Sequence, residues 1–225
     1  MKLALFDIDK TLIKGSPSHK KAFSVAFREI YGVDTSIDII QHSGMTEQEI
    51  IYKVLQTNNL DNEKIKSKLT QCMESMVRIF NKLVVNDEIV VLPGVKELLK
   101  ALDNNKVLLG LVTGNLEQIA RAKMKKINLN HYFKIGGFGS DHISRTELVK
   151  LAISRAENNF NFIFSNNVYL FGDAPQDMNA GKEAGIKTIG VTTGIYDKKQ
   201  LKNAGASIVV NDLTDTKTIL NLVLK

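Results

Sequence analysis

The sequence predicts an α/β fold in which a doubly wound, parallel sheet carries an all-helical insert after its first strand. Two observations lead to this prediction. After Pro93-Gly94, apolar runs of strand length alternate with amphipathic stretches of helix length, which is typical of a parallel sheet covered by helices on both faces. Before that point, one apolar run at the N-terminus is followed by a long region whose apolar residues recur at helical spacing.

The first strand is predicted at Lys2–Phe6, where an apolar run ends in acidic residues. Helical spacing then continues over residues 16–85, and Thr46 with Glu49 three positions later predicts a capping box at the start of the second helix of this region. We therefore expect a core made of residues 1–15 and 91–225, and a helical cap domain made of residues 16–90.

Strands and helices alternate in the rest of the chain. The predicted strands are Val107–Val112, Ile135–Phe138, Val168–Phe171, Thr188–Val191 and Ile208–Val210. The predicted helices are Val95–Leu102, Leu116–Ile127, Thr146–Ala156, Gln176–Ala184 and Leu213–Leu224. Parallel sheets bind ligands beyond the carboxyl ends of their strands, so the residues that follow each strand are the candidates for function.

Composition narrows the functional classes. The single cysteine, Cys72, argues against a disulfide framework and predicts a buried thiol and a cytoplasmic location. No apolar run is long enough to cross a membrane, so we expect no membrane partner. The net charge is +6, but the lysines are scattered and tryptophan is absent, so we expect no nucleic-acid partner. The densest basic stretch, Arg121–Lys126, is interpreted as one exposed helix face.

Two acidic residues follow the first strand. Asp7 and Asp9 are two positions apart, so their side chains point the same way if the chain stays extended. Carboxylates this close repel each other, which predicts either a shared proton or a bound cation, and Mg²⁺ prefers hard oxygen ligands. An acidic surface turn is the alternative.

Two more strands end in polar residues. Thr113-Gly114-Asn115 places a hydroxyl group and a glycine before a helix N-terminus, which suits an anion, although a plain capping turn also fits. Gly172 is followed by Asp173 and later by Asp177, which could instead cap the next helix. Three polar strand ends in one sheet favour a common site over three separate turns.

These residues carry a resemblance to a known family. Asp7-Ile8-Asp9-Lys10-Thr11, Thr113-Gly114-Asn115 and Gly172-Asp173 with Asp177 resemble the first, second and fourth motifs of the haloacid dehalogenase (HAD) superfamily. The similar group contains phosphoglycolate phosphatases and beta-phosphoglucomutases with a helical cap. The resemblance covers the whole chain and implies a Rossmann-like core and a Mg²⁺-dependent phosphatase that forms an aspartyl-phosphate.

The resemblance also implies roles. Asp7 would be the nucleophile, and Asp9 the general acid and then the general base. Asp7, the backbone carbonyl of Asp9 and Asp173 would hold Mg²⁺, with Asp177 as a supporting residue or a water-mediated ligand. The phosphoryl oxygens would be bound by Thr113, Gly114 and Asn115.

The third family motif, a Lys or Arg that balances the acidic cluster, has the weakest match. Arg145, just before a predicted helix, is the expected cation, and Lys150 is the second choice; Arg145 as a plain surface charge is the alternative. Lys10 stands where the family commonly has glycine, and its side chain is expected to point away from the metal.

In the insert, the segment His42-Ser43-Gly44-Met45-Thr46 resembles the cap loop that reaches the active site of related phosphatases. Ser43, Gly44 and Thr46 are therefore predicted to contact the substrate, and an ordinary helix–helix turn is the alternative.

The expected partner is a small phosphorylated metabolite; phosphoglycolate, a sugar phosphate and a nucleotide monophosphate all fit. A phosphomutase of the same family and a non-catalytic binding module on the same fold are the alternatives. Dehalogenases of the superfamily lack the second aspartate of the first motif, so Asp9 argues against dehalogenation. A monomer or a homodimer is expected.

Overall fold

The centre of the molecule is a six-stranded parallel sheet, seen in a computed structural model that describes all 225 residues. The chain has eight strands, of which β2 and β3 form a separate pair and the other six form this sheet. They are β1 (Leu3–Phe6), β2 (Ile13–Lys14), β3 (Val90–Val91), β4 (Leu108–Thr113), β5 (Ile135–Phe138), β6 (Val168–Gly172), β7 (Lys187–Val191) and β8 (Ile208–Val210). The helices are α1 (Pro17–Ala26), α2 (Glu47–Thr57), α3 (Asn62–Leu83), α4 (Val95–Asn104), α5 (Glu117–Lys126), α6 (Arg145–Phe160), α7 (Pro175–Glu183), α8 (Lys198–Asn203) and α9 (Thr216–Leu224).

The strand order in the sheet is β5-β4-β1-β6-β7-β8, so the first strand lies in the middle. All four residues of β1 are buried, because helices cover both faces of a parallel sheet. In register, Phe6 lies beside Leu111 of β4 and Phe171 of β6. The residues that follow these three strands therefore meet at one edge of the sheet, and the predicted α/β fold class is confirmed.

Apolar side chains fill both faces of the sheet. One cluster of 24 buried residues joins the sheet to α4, α5 and α9, and another of 14 joins it to α6 and α7. The single cysteine, Cys72 in α3, is buried as predicted, and burial raises the pKa of its thiol to about 12. No helix has the length and apolar character needed to cross a membrane.

The insert after β1 is built from α1, α2 and α3. Strands β2 and β3 pair antiparallel at its two ends, with Ile13 beside Val91. A cluster of 18 buried residues fills the insert, and it includes Leu116 and Ile119, which lie outside it at the start of α5. The insert therefore packs against α5. The division into residues 16–90 and the rest stays a prediction.

Local sequence signals account for most of the helix boundaries, and the places where the observed helices differ from the predicted ones have physical reasons. The capping box of Thr46 and Glu49 is present at the start of α2, as predicted. Helix α9 begins at Thr216 instead of Leu213, because the side chain of Asp215 caps the backbone N–H of Thr218. The short helix α8 was missed because only Leu201 of its six residues is buried.

One prediction about the surface is wrong. The stretch Arg121–Lys126 is not a single exposed helix face, because Lys123 is 0% exposed. Helix α5 lies between the insert and the sheet: Ile119 packs into the cluster of the insert, whereas Ala120 and Met124 pack into the cluster of the sheet. Lys123 points into the space between them.

Candidate active site

A cavity of about 230 Å³ lies between the carboxyl ends of the strands and the insert. The sheet contributes residues that follow β1, β4 and β6, and the insert contributes residues of α1 and of the loop before α2. Nine of the site residues predicted from the sequence line this cavity: Asp7, Asp9, Ser43, Gly44, Thr113, Gly114, Asn115, Arg145 and Asp173. The structure thus brings most of them to one place.

Three buried carboxylates meet at one end of this cavity. Asp7, Asp173 and Asp177 each offer an oxygen, and these oxygens lie within 4.8 Å of one another. Burial and the charge of Asp177 raise the pKa of Asp7 well above its ordinary value, and the same two causes raise the pKa of Asp173 to about 7. The cluster thus concentrates negative charge where water cannot solvate it.

Arg145 balances part of this charge. It is the first residue of α6, its side chain is 8% exposed, and its Nη1 donates to Asp177 Oδ1 and, at 3.3 Å, to Asp7 Oδ1. Although burial acts to lower the pKa of Arg145, the charges of Asp177 and Asp7 raise it. Lys150, the second choice from sequence, pairs with Glu147 on the exposed face of α6. Of the two candidates from the sequence, Arg145 is therefore the one that forms ion pairs with the acidic cluster.

Asp177 has two roles in this arrangement. One carboxylate oxygen accepts from Arg145 and the other accepts from the backbone N–H of Ala174 at 3.2 Å, so the residue caps α7 and also orients the arginine. Both oxygens are occupied by protein donors. This arrangement suits the supporting role that the sequence predicted for Asp177 better than direct binding of a metal.

The acidic cluster fits a divalent cation. Its carboxylates face a single guanidinium group, and the buried Oδ2 of Asp173 has no hydrogen-bond partner. An unpaired buried carboxylate oxygen is costly, and a hard cation with oxygen ligands would satisfy it. Asp7 and Asp173 are therefore the side chains best placed to hold Mg²⁺.

Asp9 points away from this cluster and is held by two donors. Lys123 Nζ donates to both carboxylate oxygens, at 2.9 and 2.7 Å, and Asn115 Nδ2 donates to Oδ2 at 2.8 Å. Burial acts to raise the pKa of Asp9, but the charge of Lys123 and the hydrogen bonds from Lys123 and Asn115 prevail and lower it to about 2. Asp9 is therefore ionised and fixed in orientation.

Lys123 also connects Asp9 to the insert. Its Nζ lies 3.1 Å from His19 Nδ1, and His19 Nε2 lies 2.7 Å from Glu47 Oε1. Because an ammonium group can only donate, Nδ1 of His19 accepts and Nε2–H donates to Glu47. Lys123, His19 and Glu47 were not predicted as site residues from the sequence. The available signal was that Lys123 falls four residues after Ile119 and three after Ala120, on the apolar face of α5.

The turn after β4 is shaped by its glycine. A Cβ atom on Gly114 would collide with the backbone carbonyl of Met45, so only glycine lets the insert approach this closely. Thr113 is buried, and its hydroxyl oxygen accepts from the backbone N–H and the side chain of Asn115. The side chain of Asn115 is used by Asp9, Thr113 and Lys123, so it orients its neighbours instead of pointing freely at a ligand.

The loop before α2 is docked on the ends of the core strands. Glu47 N–H donates to the carbonyl of Gly114 at 2.9 Å, and Gln176 Nε2 donates to the carbonyl of Ser43 at 3.1 Å. Ser43 and Gly44 line the cavity, but Thr46 does not. The hydroxyl of Thr46 caps α2 and donates to the carbonyl of Ile143 at 2.9 Å, so it is not available to a substrate.

Lys10 does not point away from the acidic cluster. Its backbone φ of +67° turns the side chain into the cavity, where Nζ lies 3.5 Å from Ser43 Oγ. It is close enough to Asp173 to oppose the rise of that residue's pKa. The left-handed backbone at Lys10 is what directs its side chain into the cavity, contrary to the expectation from the sequence.

A protein-family model also matches most of the chain. The model, described as haloacid dehalogenase-like hydrolase, matches residues 4–191. The chain belongs to this family. The predicted resemblance is thereby confirmed.

Individual proteins of this family are similar over nearly the whole chain. A phosphorylated carbohydrates phosphatase of Thermotoga maritima is 27% identical over 220 residues, covering 93% of this chain and 94% of that protein. A phosphoglycolate phosphatase of Pseudomonas putida is 21% identical over 215 residues, covering 94% and 77%. The crystal structure of a hydrolase from Pseudomonas syringae shares the fold, with a TM-score of 0.74, 21% identity and 99% coverage of both chains. The prediction that the protein is a hydrolase of the phosphatase type is confirmed.

Proposed function

We propose that this HAD-like hydrolase is a Mg²⁺-dependent phosphomonoesterase that acts on a small phosphorylated metabolite through an aspartyl-phosphate. The observation that carries the proposal is the pair of buried carboxylates, Asp7 and Asp173, which share one cavity end with Arg145 and the hydroxyl of Thr113. Phosphoryl transfer depends mainly on positioning and charge neutralisation, and this set of groups offers both. The phosphatase names of the two similar proteins support the same chemistry.

In this proposal Asp7 is the nucleophile. One of its oxygens forms a bond to phosphorus while the bond from phosphorus to the leaving oxygen breaks, and water then releases phosphate in a second displacement. Bound Mg²⁺, held by Asp7, Asp173 and the backbone carbonyl of Asp9, would neutralise charge on the phosphoryl group. Arg145 keeps Asp7 oriented, and Thr113 with the backbone at Gly114 receives the phosphoryl oxygens.

Asp9 moves the protons. Lys123 holds its carboxylate ionised, which is the form that accepts a proton from the attacking water in the second displacement. In the first displacement the protonated form of Asp9 delivers its proton to the leaving oxygen, and the proton taken from water in the second displacement restores that form. The low pKa makes this first step the more demanding one for leaving groups that are strong bases.

The size of the cavity limits the substrate. About 230 Å³ is enclosed between the sheet and the insert, and the docked loop at Ser43 and Gly44 closes one side. A small metabolite fits this space, whereas a phosphorylated protein segment does not. The cytoplasmic location and the oligomeric state stay predictions.

The test is a screen of phosphate monoesters with Mg²⁺ and with excess chelator. We expect turnover only with the metal, release of one inorganic phosphate for each ester consumed, and loss of turnover in Asp7→Asn by more than about a hundredfold. Thermal unfolding would show that this near-isosteric variant is folded. Full activity in chelator would contradict the metal role, and transfer of phosphate to another sugar position without release would indicate a phosphomutase.

A further inference from the structure

Glu47 lines the cavity and carries a buried oxygen without a hydrogen-bond partner. It is the first residue of α2, it is 1% exposed, and it lines the space between insert and sheet. Its Oε1 accepts from His19 at 2.7 Å, but its Oε2 has no hydrogen-bond partner. Leaving a buried acceptor without a donor is destabilising, and more so when the group is charged, so the unpaired state of this oxygen needs an explanation.

The position of this carboxylate is fixed from two sides. The backbone N–H of Glu47 donates to Gly114, and Nε2–H of His19 donates to Oε1 because Nδ1 of the same ring accepts from Lys123. Neither contact uses Oε2. Since Glu47 lines the cavity and no protein donor reaches Oε2, its donor has to come from a molecule in the cavity.

The other unpaired buried atoms of the protein lie elsewhere. Asp173 Oδ2 and Arg145 Nε belong to the end that would bind the metal and the phosphoryl group, and Gln176 Oε1 belongs to a residue outside this cavity. Glu47 Oε2 is therefore the unsatisfied polar atom on the side of the insert, where the leaving group of a phosphate ester would lie.

The cations around the cavity do not offset Glu47. Lys20 forms an ion pair with Asp38. Burial, and then the charge of Lys10, lowers the pKa of His42, which keeps this ring neutral near pH 7. Lys10 itself stands close to the acidic cluster, where it opposes the raised pKa of Asp173. Lys10 forms no ion pair and its Nζ lies beside Ser43 Oγ, but no cation contacts Glu47 Oε2, so a leaving-group carboxylate placed at this oxygen would be repelled.

We propose that Glu47 is a specificity-determining residue that accepts a hydrogen bond from a hydroxyl group of the leaving group. The substrate class is then phosphorylated sugars and polyols, and phosphorylated acids are disfavoured by charge repulsion. This inference rests on the proposed phosphatase function. A charge-assisted hydrogen bond to a buried carboxylate discriminates strongly, because a substrate without the hydroxyl leaves that carboxylate unpaired.

The test compares Glu47→Gln with Glu49→Gln, the same change two residues further along α2. Glu49 supports the capping box and does not line the cavity, so it controls for effects on the helix. In Glu47→Gln, the His19 donor binds the amide oxygen and turns the NH₂ group toward the substrate. The acceptor becomes a donor, so the variant should prefer the opposite substrate class.

Three esters report the result: the best sugar phosphate of a panel, phosphoglycolate and p-nitrophenyl phosphate. The wild type should favour the sugar phosphate over phosphoglycolate in kcat/KM. In Glu47→Gln, we expect kcat/KM to fall by about tenfold or more for the sugar phosphate and to rise by about tenfold for phosphoglycolate, with p-nitrophenyl phosphate changed by less than about threefold. Glu49→Gln should leave the ratio of the first two esters unchanged.

Several outcomes would overturn the inference. Equal losses on all three esters in a folded Glu47→Gln protein would show that Glu47 only supports the fold, and a wild-type preference for phosphoglycolate would contradict its role directly. If Glu47→Gln does not fold, Glu47→Ala should still lose the preference for the sugar phosphate, and an unchanged preference would refute the inference. Turnover of p-nitrophenyl phosphate in all variants separates this failure from a failure of the proposed function, which would abolish turnover in the wild type.

Discussion

Removing the charge of Asp173 should stabilise the metal-free protein above about pH 7. Burial first, and the charge of Asp177 second, raise the pKa of this carboxyl group from 3.8 to about 7. Asp173→Asn keeps the shape of the side chain and the acceptor for the hydroxyl of Thr11, which lies 3.4 Å from Oδ1. The variant removes the repulsion and the cost of burying a charge, and it leaves the packing in place.

The sign follows from proton binding. The folded-state pKa lies above the unfolded value, so between about pH 4 and pH 7 the folded protein binds a proton that the unfolded chain lacks. The contribution of Asp173 to stability is therefore largest at low pH and is lost as the pH rises through 7. The difference between the folded and unfolded pKa values corresponds to at most about 4 kcal/mol at pH 8 and to less than half of that at pH 5.

The assay is thermal unfolding in excess chelator at about pH 5 and about pH 8, with the variant and the wild type side by side. For a chain of this length, 1 kcal/mol corresponds to about 2–4 °C, so Asp173→Asn should raise the Tm by several degrees at the higher pH and by less at the lower. Asp103→Asn, an exposed position of α4, is the matched control and should change neither value.

Mg²⁺ should narrow the difference in stability between Asp173→Asn and the wild type. When the Mg²⁺ concentration is about a hundred times the Kd, binding stabilises the wild type by about 2.7 kcal/mol. This stabilisation should be smaller at pH 5, because protons compete with the metal for the carboxylates. Asp173→Asn should gain little. The reasoning would be refuted if the variant were no more stable than the wild type at pH 8 in chelator, or if its gain were the same at both pH values.

Two further predictions concern the contacts between insert and sheet. Lys123→Met should lower kcat by about tenfold or more, because the Asp9 carboxylate loses the ammonium group that holds it. The free energy of unfolding in urea should fall by about 2 kcal/mol, which is less than the about 3–5 kcal/mol typical of fully buried pairs, because the Asp9 side chain is 40% exposed. Lys125→Met, at an exposed position of the same helix, should change neither quantity. Gly44→Val forces a side chain at φ +79° against Gln176 and should lower kcat/KM for the preferred metabolite by about tenfold, with less effect on p-nitrophenyl phosphate. Equal losses for both esters, with an unchanged circular dichroism spectrum, would identify a structural turn.

The strand ends show how much could be predicted locally. Asp7, Thr113 and Asp173 each follow an apolar run, and parallel strands bring their carboxyl ends to one edge whatever the details of packing. The capping box of Thr46 and Glu49 is equally local, since both partners lie within one helical turn. In each case the interacting groups are near in sequence or are placed by a general rule of sheet topology.

Thr46 marks the limit of that reasoning. The sequence predicted that Thr46 caps α2 together with Glu49, and also that Thr46, as part of the loop from His42, contacts the substrate. It does not say which acceptor receives the hydrogen of the Thr46 hydroxyl. The carbonyl of Ile143, 97 positions further along the chain, receives it. A contact at this separation depends on how the insert docks on the sheet.

The sequence by itself determined the α/β class, the order of the elements, the family and the motif residues at the strand ends. Only the tertiary structure decided which charges meet across the boundary between insert and sheet. Lys123 was interpreted as one member of a basic surface stretch, and Glu47 was not singled out from the sequence. Their partners, Asp9 and His19, are 114 and 28 residues away, and the packing of α5 between two apolar clusters is what buries them together. Local periodicity carries no information about such pairings, because they are selected by the close packing of the whole chain.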